Sequence, residues 1–190
     1  MVEALLAVGA DVRVANSDGA TALMDAAMNG KGLIVDALLG EGADPNKAAH
    51  NGMTALIWAC EKGHDAVARV LVNHESCDCN MRTSSSGGTA AIFATYHGKT
   101  KALAAVAESG RCDLDAVDGS GEAAVHIAAY NNRWRMLKIL AMNGADIDKG
   151  DPRGRTPAMF AARHNHAKAI EVLAAHGANL TKAAYDPRSD

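Results

Sequence analysis

Thr21-Ala22-Leu23-Met24-Asp25-Ala26-Ala27 returns as Thr54-Ala55-Leu56-Ile57-Trp58-Ala59-Cys60 and as Thr89-Ala90-Ala91-Ile92-Phe93-Ala94-Thr95. It returns twice more, as Ala123-Ala124-Val125-His126-Ile127-Ala128-Ala129 and Thr156-Pro157-Ala158-Met159-Phe160-Ala161-Ala162. The stretches begin at 21, 54, 89, 123 and 156, in steps of 33, 35, 34 and 33 residues. Self-similarity at this period marks a solenoid, whose units bury their apolar faces only by stacking on their neighbours.

A second motif runs in phase with the first. Gly9-Ala10-Asp11, Gly42-Ala43-Asp44, Gly144-Ala145-Asp146 and Gly177-Ala178-Asn179 recur, and Cys77-Asp78-Cys79-Asn80 and Cys112-Asp113-Leu114-Asp115 replace them in the two middle units. Between the motifs lie two short helical patterns. A Thr at the head of the first can accept a hydrogen bond from the free amides of the opening turn. The second, as in Leu33-Ile34-Val35-Asp36-Ala37-Leu38-Leu39, has the apolar spacing of an amphipathic helix. A Gly then supplies a left-handed cap, and Asp, Asn and Gly turn the chain into an extended hairpin. The pattern predicts an all-α solenoid, with first helices starting near residues 22, 55, 90, 124 and 157.

These two motifs together resemble the ankyrin repeat, and the resemblance covers essentially the whole chain. It implies stacked antiparallel helix pairs joined by β-turn or hairpin fingers. The chain then reads as one domain over 1–182, with a partial repeat at 1–15 and repeats at about 16–48, 49–83, 84–117, 118–150 and 151–182. Residues 183–190 read as a tail or the start of a further repeat, and the ends are those expected of a segment cut from a longer array. Only Pro157 keeps the family's motif proline and only His126 its motif histidine. In the family that histidine ties adjacent fingers by hydrogen bonds, which Met24, Ile57, Ile92 and Met159 cannot do. The family also suggests asparagine hydroxylation at Asn46 and Asn80, which follow Asp44 and Asp78.

Composition narrows the function. The chain has 190 residues, 48% of them hydrophobic and only 4% aromatic, which suits an Ala/Leu-packed solenoid. No apolar run reaches the length of a membrane span, and a net charge of -3 favours neither nucleic acid nor a membrane surface. Residues 1–50 hold three Lys/Arg against seven Asp/Glu, whereas 133–182 hold nine against four. Such a gradient orients a partner and raises its on-rate more than its affinity. Four irregularly spaced Cys do not make a secreted disulfide framework, so reduced thiols and an intracellular, cytoplasmic location are expected.

No chemistry stands out. Cys77-x-Cys79 with His74 and Cys112 lacks the second ligand pair that structural zinc needs. A Cys77–Cys112 disulfide is disfavoured, since equivalent residues of stacked repeats should sit about 10 Å apart. Ser84-Ser85-Ser86-Gly87-Gly88 precedes Thr89 but no Lys, so it is no phosphate loop. No catalytic residue, metal or cofactor is assigned, and an enzyme is not expected. Trp58, Phe93, Ile127 and Phe160 share one repeat position, read as facing the stacked core. Asp25 fills that slot in the first repeat, which predicts a partly open edge there or a partner for its charge.

The resemblance implies a scaffold that binds a partner protein through its concave face of finger tips and first-helix ends, as a monomer. The alternative is a regulatory or targeting segment of a larger enzyme or multidomain protein. The candidate contacts, taken by repeat position, are Met53, Glu61, Lys62, Tyr96, His97, Tyr130, Asn131, Arg153, Arg155, Arg163 and His164. Tyr and Arg are the side chains that most often dominate interfaces.

Overall fold

The computed structural model describes residues 11–181. Most of the partial repeat expected at 1–15, and the tail or further repeat at 183–190, lie outside them. Each motif opens a short first helix: α1 (Ala22–Met28), α3 (Ala55–Lys62), α5 (Ala90–Tyr96), α7 (Ala124–Tyr130) and α9 (Pro157–Arg163). The starts fall where the sequence places them. Thr21 and Thr54 cap as expected, accepting from the amides of Met24 at 3.4 Å and Ile57 at 3.3 Å. Thr89 and Thr156 keep the same extended backbone, but their buried hydroxyls make no such bond.

A left-handed residue then reverses the chain. At α7 and α9 it is asparagine, Asn132 and Asn165, a type that tolerates positive φ better than most. The second helices follow: α2 (Gly32–Gly40), α4 (Asp65–Asn73), α6 (Thr100–Glu108), α8 (Trp134–Met142) and α10 (Ala167–Ala175). First helices stack on first helices and second on second along the whole described length. Ala59, Ala94, Ala128 and Ala161 occupy one repeat position and are fully buried, so the first helices approach closely. Leu71, Leu103, Leu137, Leu140 and Leu173 fill the layer between the two helix rows.

The fingers add little regular structure, only the isolated antiparallel bridges Ala15–Thr21 and Val117–Ala123 among the described residues. They are tied to one another by backbone. The amides of His50, Ser84 and Gly119 donate to the carbonyls of Asp18, Asn51 and Ser86 in the preceding finger. At the fourth junction the equivalent residue is Pro152, which has no N–H. Its ring packs against Gly121 instead. His126 bridges the same two units from below: the amide of Ala123 donates to its Nδ1, and its Nε2 lies 2.8 Å from the carbonyl oxygen of Lys149. This is the tie that the resemblance implies for the one motif histidine. Burial, partly offset by that hydrogen bond, holds His126 below the ordinary imidazole value. The framework histidines His64 and His166 reach the carbonyls of Met28 and Ala129 in the preceding repeat.

A ladder of side-chain caps runs along the base of the fingers. Asp44 accepts from the amide of Asn46, Asn46 from Asp78, Asp78 from Asn80 and Asn80 from Asp113. Asp113 accepts from Asp115, Asp115 from Asp146, Asp146 from Asp148, and Asp148 from Asn179. Each carboxylate or carboxamide thus alternates between closing its own turn and reaching the next repeat. Asn46 and Asn80 are both rungs of it.

The ladder also corrects the reading of the cysteines. Its cross-repeat rungs join residues displaced by two positions, Asn80 to Asp113 rather than Asp78 to Asp113. The residue facing Cys112 is therefore Cys79, and the structure joins these two in a disulfide with Cα atoms 5.4 Å apart. Cys77, which the in-register comparison pairs with Cys112, is free and buried, as is Cys60. The expectation that all four thiols are reduced does not hold. Arg111 stitches the same junction, donating to the carbonyls of Val72, His74, Glu75 and Cys77 at 2.6–3.1 Å. Arg111 itself follows α6, and the carbonyls it takes lie at and just beyond the end of α4, which has no terminal glycine.

Candidate functional site

The concave side is built from two sets of residues that the fold leaves free. The first-helix ends project Met28, Lys62, Tyr96, Tyr130 and Arg163, and the fingers overhang them. Between the two lie hollows. One, of about 330 Å³, is lined by Ile92, Phe93, Tyr96, His97 and Ile127 with Ser86 and Asp118 from two fingers. A second, of about 600 Å³, shares Tyr96, Asp118 and Ile127 and continues to Ser120, Glu122, Tyr130, Asn131, Arg155 and Phe160. A third, of about 420 Å³, sits at the first repeats between Asp18, Met24, Asp25, Met28, His50 and Trp58.

The floor is the aromatic stripe. Ile127 and Phe160 are buried and Trp58 and Phe93 half-buried, yet all four border these hollows. The stripe faces the stacked core, as read from the sequence, and its outer edge also borders the groove. Asp25, in the same slot of the first repeat, is exposed, so that edge is open as expected.

Tyr96 and Tyr130 are 64% and 49% exposed and line one hollow. Tyr130 leans edge-on against Phe160 at 6.4 Å and His164 at 4.6 Å between ring centroids. Tyr96 meets His97 at 5.2 Å. Arg133 of the next unit donates to the carbonyls of Thr95 and Tyr96, which caps the end of α5 and sets the height of Tyr96. Asn131 donates through its side chain to the carbonyl of Ile127. Arg153 and Arg163 are exposed at the far end.

Two of the candidates stand apart. Met53 is only 4% exposed and belongs to the core, because the finger preceding α3 folds its side chain inward. Arg155 is half-buried. Its guanidinium grips Asp151 at 2.6 Å and lies over the ring of Phe160 at 4.6 Å. Its charge is committed within the fold. Glu61 and Lys62 pair with each other at 2.8 Å, and Lys62 covers Trp58 near the third hollow.

Repeat spacing does not single out Asp118. Its Oδ1 closes the finger by accepting from the amides of Ser120 and Glu122. The Asx turn preceding Gly121 is the signal that points to it. The free thiols are poor nucleophiles: burial pushes Cys77 up to about 11 and raises Cys60 as well. Among the described residues no group of three or more His, Cys, Asp or Glu could hold a metal ion, and no helix is long and apolar enough to cross a membrane.

The ankyrin-repeat family model matches three times, over residues 1–83, 24–118 and 92–184. The chain belongs to the ankyrin repeat family. The crystal structure of EF0377, an ankyrin repeat protein, superposes with a TM-score of 0.83 at 26% identity, covering 93% of this chain and 90% of that one. No curated protein gives a significant match. Ankyrin repeats are generally protein–protein interaction modules, and the fold is typically a non-catalytic scaffold.

Proposed function

We propose that this ankyrin solenoid is a protein-interaction scaffold that holds a segment of a partner protein in its concave groove, with Tyr96 and Tyr130 as the central contacts. The observation that carries this reading is the placement of two half-exposed tyrosines on adjacent repeats over one hollow floored by Ile127 and Phe160. Tyrosine offers contact area at low entropy cost, with a hydroxyl to direct it. The Tyr130 ring is held edge-on by Phe160 and His164, and the Tyr96 ring by His97.

The test is capture of the native partner from lysate by the wild-type chain and by Tyr96→Ala with Tyr130→Ala, followed by affinity measurement on the isolated pair. The double variant should lose about 2 kcal/mol or more of binding, the scale of an interface hot spot. Its helical circular dichroism should be intact, with a small loss of stability from the Tyr130–Phe160 contact. Unchanged affinity for the captured partner places the binding surface elsewhere on the molecule.

A further inference from the structure

The tyrosine hollow has a charge that its place on the rod does not suggest. It lies toward the basic half of the chain, yet its lining contributes two carboxylates, Asp118 and Glu122, from one finger. The only Lys or Arg in that lining is Arg155, whose Nε and Nη2 are both taken by Asp151 at 2.7 and 2.6 Å. No lysine or arginine forms an ion pair with Asp118 or Glu122 among the described residues. Glu122 is half-buried, and burial together with the neighbouring charge of Asp118 raises its pKa, which Arg155 offsets only in part. A negative site without an ion-pair partner is therefore walled by two tyrosines and a phenylalanine. The fourth finger junction, where Pro152 replaces a backbone donor, lies between the finger that carries Asp118 and Glu122 and the finger that carries Arg155.

Resting on the concave-groove reading above, we propose that the hollow between Tyr96 and Tyr130 receives a cationic side chain, lysine or arginine, of the partner segment. Asp118 and Glu122 supply its counter-charge and the tyrosine ring faces its walls. A cation over an aromatic face is stabilised, more so when desolvated, and a half-buried carboxylate adds a hydrogen-bonded charge pair. The smaller hollow beside it, sharing Tyr96 and Ile127 but walled by Ile92 and Phe93, takes a bulky apolar side chain of the same segment. The partner motif is thus an apolar residue near a basic one. Acidic residues, if present, belong further along, toward Arg153 and Arg163.

The probes are short synthetic peptides, identical except for one position near a constant leucine, which is Lys, Gln or Glu, with that position placed at several spacings from the leucine. Binding to the intact chain is followed by NMR through the ring resonances of Tyr96 and Tyr130. The Lys peptide should bind about fivefold or more tighter than the Gln peptide, and the Glu peptide weakest. Asp118→Asn with Glu122→Gln should erase the order, with the melting curve unchanged. The carboxamide introduced in place of Asp118 still offers the oxygen that closes the finger turn, and Glu122→Gln alone serves as the milder variant. Equal binding of all three peptides at the tyrosines overturns the cationic assignment while leaving the groove as the binding face. A preference for the Glu peptide overturns it too, as does failure of the Lys peptide to move either ring at millimolar concentration. The groove itself is judged separately by the partner affinity of the double tyrosine variant.

Discussion

Reducing the Cys79–Cys112 bond should weaken the solenoid by an amount the chain length sets. The bond closes a loop of 33 residues between adjacent repeats. A cross-link removes loop-closure entropy from the unfolded chain, about 12–13 cal/mol/K for a loop of this size, or about 3.7 kcal/mol at 25 °C. The neighbouring interface keeps Arg111 and the Asn80–Asp113 rung after reduction, so the folded state loses little else. The assay is urea denaturation followed by helical circular dichroism, with and without a phosphine reductant, for wild type and Cys79→Ser. Oxidised wild type should be more stable than reduced wild type by about 2–4 kcal/mol. The Cys79→Ser variant should sit near the reduced protein under both conditions. Thiol titration of unfolded, unreduced protein should count two free thiols, Cys60 and Cys77. Four titratable thiols, or denaturation curves that ignore the reductant, would refute the pairing and the two-residue register from which it follows.

Leu71→Ala in the buried layer of α4, where Leu71 has no exposed surface, should cost about 2–5 kcal/mol, measured by the same denaturation; a loss below about 1 kcal/mol would mean the repeat interface is looser than drawn. Acid should weaken the fold through His126. Its folded pKa lies below the ordinary 6.5 because it is buried, so the unfolded chain takes up a proton first. Stability should be flat above about pH 6.5 and fall as the pH drops from there toward the folded value. His126→Gln should lessen that slope, and identical slopes for the two proteins would rule this histidine out as the cause.

How much of this is legible beforehand follows from where the sequence repeats itself. The helix starts at 22, 55, 90, 124 and 157 are set by a motif that each unit must keep to stack, so one chain carries five readings of the same constraint. The motif fixes the helix starts but not every contact around them. Thr89 has the right residue for a cap but leaves its hydroxyl unbonded. Cys77 has the right repeat position for Cys112 but the wrong register, because the cap ladder slants by two residues and no single repeat shows a slant. The groove is harder still. Its walls come from positions the stack does not constrain. Residue type singles out Tyr96 and Tyr130 there, but repeat position singles out Met53 as well, and Met53 is buried. The charge of the groove comes from Asp118 and Glu122 together with the pairing of Arg155 to Asp151, a contact within the last finger that commits the one cation in the lining. Net charge by segment makes that end of the rod basic, while the local pairing leaves its central hollow acidic. A partner chosen by the gradient alone would be matched to the wrong sign at the tyrosines.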